Sequence, residues 1–281
     1  DTVSAIVKQG TGSLTIGATD GSSLTPIISS EAYAINYENG SFNFYDGILK
    51  GKDGAFIGTA VTEEDKAVYY YDEGAYECAT IKMGWDISKN ADGSIYAYLI
   101  PTDSNYTMEV AGNGETLSLT EATKNTIPWD EYRSNITALQ FEDGVTVLGD
   151  YIFSDLIAIT SITLPETLTK LGVYAIGGAT GLTGNITIPA SVTTMDANPF
   201  AFTTATSYDV NASNTAFKIS NNMIVTMDGT RIVSYPGGLS SSIAVPTGVT
   251  TISEQAMRGT KATSITLPDT LTIINKHAMA D

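Results

Sequence analysis

Internal repetition constrains this chain more than any other feature. Leu139, Ile162, Ile186, Ile243 and Ile265 open successive copies of one pattern. Four further apolar columns keep step with them. They are Phe141, Leu164, Ile188, Val245 and Leu267; Val145, Leu168, Val192, Val249 and Leu271; Leu148, Leu171, Met195, Ile252 and Ile274; and Phe153, Ile176, Phe200, Met257 and Met279. The steps between copies are nearly equal except one, from Ile186 to Ile243, which is more than twice as long and holds a divergent copy at Tyr208 and Val210. Such a period is that of a solenoid with coils of about 20–29 residues.

Each column has a physical meaning. In a short strand Ile162 and Leu164 face one way, and Ser161 and Thr163 the other. Pro165 cannot donate to a ladder and ends the strand. Leu168, Leu171 and Ile176 then fill the coil's interior. The pattern predicts parallel strands near 138–141, 162–164, 186–188, 208–210, 243–245 and 265–267. In the long unit at 205–241, Asp228-Gly229 predicts a two-residue hairpin turn. It would pair Val225 with Ile232 and Met227 with Thr230, and Asp228 and Arg231 at its tip are candidate contact residues.

The phrases "FEDGVTVLGDYIF", "SITLPETLTKLGVYAI" and "AVPTGVTTISEQAM" resemble the BspA-like leucine-rich repeats of bacterial cell-surface proteins. The segment "NTAFKISNNMIVTMDGTRIVSYPGG" is similar to the longer, hairpin-bearing unit that interrupts such arrays, and "IPWDEYRSNITALQFEDGV" to the entry into the first repeat. The match covers about residues 116–281. The copies lack the Gly/Cys-Ser turns typical of the family, as "GGATGL" and "RGTKAT" show. The resemblance implies a right-handed leucine-rich-repeat solenoid of about six coils over 136–281. It implies attachment, adhesion or ligand capture outside the cell, with no catalytic site.

Residues 1–115 show alternation without a repeat. Tyr33, Ile35 and Tyr37 alternate with Ala34 and Asn36, and Phe42 and Phe44 follow Asn39-Gly40, a short-range hairpin signal. That turn would pair Tyr37 with Phe42 and Ile35 with Phe44. Further strands are expected at Ala67–Tyr71, Tyr76–Met83, Ser94–Ile100 and Tyr106–Ala111. The expectation is a mainly β chain: an antiparallel, sandwich-like β domain over 1–115, a joint and cap over 116–135, then the solenoid. Trp129 in the joint is placed to cover the solenoid's apolar end.

Charge narrows the partners. The net charge is −17, from 14 basic and 31 acidic residues. An acidic chain repels phosphate backbones and anionic membrane surfaces, which argues against nucleic acid and membrane binding. No apolar run approaches the roughly 18 residues of a membrane span. The single cysteine, Cys78, permits no internal disulfide and reads as a small buried residue.

Catalytic chemistry has little to work with. His277 is the only histidine, so a Ser–His–Asp triad or a multi-histidine metal site is not supported. The acidic runs Glu63-Glu64-Asp65, Asp72-Glu73 and Glu142-Asp143 read as solvated loops, although glycosidases do use paired carboxylates. "DISKNADGS", residues 86–94, has some calcium-loop residues but Ser88 where the first Asp belongs, and no closing Glu. Tyr69-Tyr70-Tyr71 places Tyr69 and Tyr71 on one strand face, where tyrosines can stack on sugars or anchor a protein. No metal, cofactor or catalytic residue is assigned. The reading is a secreted or cell-surface bacterial binding module, its signal peptide removed, with a host or microbial protein or glycan as ligand. A carbohydrate-active enzyme with a repeat appendage and a purely structural stalk are the alternatives. The apolar residues of the last coil, Ile274 and Met279 among them, suggest self-association through an open end.

Overall fold

The computed structural model describes residues 4–9, 11–17, 26–37, 40–240 and 242–280. The chain packs as two units, Asp1–Trp85 and Asp86–Asp281. Almost all of the regular structure is strand.

The first unit is built from parallel coils. Strands β1 (Ile6–Lys8), β2 (Ser13–Ile16) and β3 (Ile27–Ser30) make one turn. Strands β4 (Tyr33–Tyr37), β5 (Ser41–Phe44) and β6 (Ile48–Gly51) make the next, and β7 (Gly54–Ile57) and β8 (Ala60–Val61) begin a third. Each strand pairs in parallel with its counterpart one turn on, so Ile6, Ile35 and Phe56 form one row. Leu14, Phe42 and Ala60 form a second, and Ile28 and Leu49 a third. Ala34, Ile35, Phe42, Phe44 and Leu49 are fully buried between the three sides. An antiparallel hairpin follows, β9 (Lys66–Glu73) with β10 (Tyr76–Asp86), and β10 also pairs antiparallel with β6.

The antiparallel pairing expected of this region is found at β9 and β10, whereas β1–β8 form parallel coils in place of the expected antiparallel sandwich. Asn39 lies outside the described residues. Tyr37 pairs with Lys8, and Phe42 with Leu14, instead of with each other. Alternation looks the same in parallel and antiparallel strands. The turns are few, and the step from Ile6 to Ile35 is clearly longer than that from Ile35 to Phe56, so no period stands out.

The second unit opens with an antiparallel hairpin, β11 (Ile95–Thr102) and β12 (Asn105–Gly112). After β13 (Gly114–Glu115) and a 3-10 turn at Asp130–Tyr132 the coils begin. Their strands are β14 (Ile136–Phe141), β15 (Val145–Leu148), β16 (Ser161–Thr163), β17 (Lys170–Leu171), β18 (Asn185–Ile188), β19 (Thr194–Met195) and β20 (Ser207–Val210). The inserted unit holds β21 (Phe217–Ser220), β22 (Met223–Thr226) and β23 (Arg231–Ser234). The array then resumes with β24 (Ile243–Ala244), β25 (Thr251–Ile252), β26 (Ile265–Thr266) and β27 (Ile273–Ile274).

The expected strands are all present at their expected places. They are hydrogen-bonded in three parallel stretches, β12–β14–β16, β18–β20 and β24–β26. A second parallel column, β13–β15–β17–β19 and later β23–β25–β27, runs beside them. The third side of each coil is made of turns whose amides bond to the next coil: Phe153 N–H to Ala175, Ile176 N–H to Pro199 and Met257 N–H to Ala278. Leu139, Val145, Leu148, Phe153, Leu168, Leu171, Ile176, Ile186, Val192 and Phe200 are buried, as their columns require. Trp129 is fully buried and stacks on Phe153 with centroids 6.1 Å apart.

Threonines stitch the second column together. The hydroxyl of Thr146 donates to Gly114 at 2.9 Å, that of Thr169 to Thr146 at 2.9 Å and that of Thr272 to Thr250 at 3.1 Å, all to backbone carbonyls. Each hydroxyl fills a spare carbonyl lone pair on the coil before it.

The inserted unit is a three-stranded antiparallel meander, one strand more than the expected hairpin. Val225 pairs with Ile232 as expected. Met227 and Thr230 do not pair, because the turn spans residues 227–230 instead of two. Two asparagines fasten it. Asn214 donates to the carbonyls of Pro189 and Val192 and accepts from the amides of Ala216 and Phe217. Asn198 donates to the carbonyls of Gln255 and Ala256 at 3.0 and 3.2 Å, reaching past the insert to the resumed array. Its Oδ1 accepts from Ser234 Oγ at 2.7 Å, and Ser234 in turn bonds the Tyr208 hydroxyl at 2.8 Å.

Two substitutions test these roles by urea unfolding. Leu171→Ala should cost roughly 2–5 kcal/mol, the range for truncating a buried leucine. Asn198→Ala should cost about 1–3 kcal/mol by stranding buried partners. Losses below about 0.5 kcal/mol at both sites would refute the packing and splice assignments.

Candidate binding surfaces

The tyrosines of β9 sit as alternation requires. Tyr69 and Tyr71 share a face, with ring centroids 6.1 Å apart. Lys82 Nζ stands 3.6 Å from the Tyr69 ring centroid, so that ring face already holds a cation. Burial, then the neighbouring Cys78, push the Tyr71 hydroxyl up. Tyr70 points to the other face, is 51% exposed and stacks on Phe56.

Asp228 and Arg231 lie in the second unit. The Asp228 carboxylate builds its own turn: it accepts from the hydroxyls of Thr226 and Thr230 and from the Thr230 amide. Those bonds pull its carboxyl down to about 2. Arg231 is exposed, and its amide donates to Thr226 Oγ1. Asp228 is thus a turn-forming residue, and the exposed groups around it are Met227 and Arg231.

The other singled-out residues are mostly committed within the fold. Asp65 Oδ1 accepts from Trp85 Nε1 at 2.6 Å, and Glu73 pairs with Lys50 at 2.6 Å. In the 86–94 loop, Asp86 accepts from the amides of Ser88 and Gly93, and Asp92 from that of Ser94, which is the bonding of a self-closed turn. Cys78 is buried, which raises its thiol. His277 is an exposed residue of the last coil with φ of 54°.

Sequence reasoning missed two features. One is an aromatic stack on the turn side of the coils. Tyr151, Tyr174 and Phe202 all have φ between 54° and 58°. That conformation is strained for bulky residues. The Tyr151 and Tyr174 rings stack at 5.3 Å, Phe202 follows at 6.2 Å, and the Arg258 guanidinium covers Phe202 at 5.0 Å. Neighbours occupy the ring faces within the stack, so it braces the coils instead of offering a platform for a sugar. Asp155, beside it, accepts Lys124 at 3.0 Å and Arg133 at 3.4 Å. The signal was there in the placing of Tyr151 and Tyr174 one repeat apart.

The other is the outer face of the sheet β11–β12–β14–β16. Register places Tyr98, Glu109, Gln140 and Thr163 in one row across it. Glu142 adjoins Glu109. Desolvation first, then the Glu109 charge, raise the Glu142 carboxyl above its ordinary range.

The family model described as the BspA type leucine-rich-repeat region (6 copies) matches residues 131–241 and 234–281. The chain belongs to this family. BspA-type repeat proteins are typically found on bacterial surfaces and are non-enzymatic. Among solved structures, the chain is similar to a leucine-rich repeat protein from Eubacterium ventriosum, at 19% identity and a TM-score of 0.39 over 69% of this chain and 63% of that one. It is similar to the pneumococcal vaccine antigen PcpA at 16% identity and a TM-score of 0.35, over 63% of this chain and 69% of that one. A leucine-rich repeat protein from Bacteroides ovatus matches at 19% identity and a TM-score of 0.34, over 65% and 54%. The chain thus spans about three-fifths of the Eubacterium protein's length. No curated protein matches it. Among the described residues no helix is long and apolar enough to cross a membrane.

The turn chemistry of this BspA-type array can be read by titration. The folded-state value of Asp228 is depressed, so its stabilising bonds are present above the ordinary carboxylate range and are lost as pH falls through about 2. Carbon-detected NMR should place its midpoint near 2. A midpoint near 3.9, the reference value for aspartate, would refute the turn assignment.

Proposed function

We propose that this chain is a non-catalytic binding module displayed outside a bacterial cell, taking a protein or glycan as ligand. The observation that carries the reading is membership of a surface-protein repeat family together with a solenoid whose strand side chains alternate between core and solvent. Alternation gives each coil an outward residue pair beside its buried one, as Asn185 and Thr187 flank Ile186. Stacking then repeats such pairs about every 4.8 Å, a regular surface that can be varied without touching the core.

The enzyme alternative needs two carboxylates roughly 5–10 Å apart, flanking a sugar. The test is a glycan and extracellular-matrix protein array probed with the whole chain, with a reducing-sugar assay on every glycan bound. One ligand class should rise above background without turnover. Steady release of reducing ends, or a blank array at micromolar protein, would refute the reading.

A further inference from the structure

We draw no further inference here: the strongest candidate, the surface patch on the inserted meander where Ile219 of the outermost strand β21 and Met227 of the β22–β23 turn are exposed, carries nothing because nothing in the structure shows what covers it.

Discussion

Everything in the second unit depends on one constraint: a single coil of the array cannot bury its own apolar side. Ile186, Val192 and Phe200 are hidden only because neighbouring coils lie against them. The same neighbours accept the backbone hydrogen bonds, on the strand sides and on the turn side alike. Apolar burial and hydrogen-bond closure are therefore satisfied by one operation, stacking, and neither can be had without the other. The last coil shows the converse. Ile273 and Ile274 remain 50% and 48% exposed, whereas Ile252, in the same column one coil earlier, is fully buried.

That constraint also decides which parts of the fold were legible in the sequence. An array writes its core as columns, so Leu148, Leu171, Met195 and Ile252 could be assigned to the interior from spacing alone. The first unit obeys the same physics with parallel coils, but its steps of unequal length and few turns leave no column to follow. There, alternation at Tyr33–Tyr37 revealed a strand and its inward residues, while the partner strand depended on closure of a whole turn. The Asn39-Gly40 pair shows the limit of local turn chemistry, since the strands on either side of it joined different sheets.

The insert shows how a repeat survives interruption. The long step from Ile186 to Ile243 would leave the coil at Asn198 without its next neighbour. Asn198 reaches the carbonyls of Gln255 and Ala256, while Ser234 and Tyr208 complete the buried polar chain. Polar groups at such a depth are stabilising only when fully paired. Here the asparagine supplies both donors and the acceptor, which an apolar residue at that place could not. None of this is visible from spacing, because an asparagine in a turn reads as an ordinary loop residue.

The candidate sites divide along the same line. Tyr69, Tyr71, Asp228 and Arg231 were picked by residue type, and the structure gave two of them internal roles. Tyr69 holds Lys82, and Asp228 closes its turn. The Glu109 row could not be picked that way, since Glu109 and Gln140 lie on strands well separated in the chain and meet only through register.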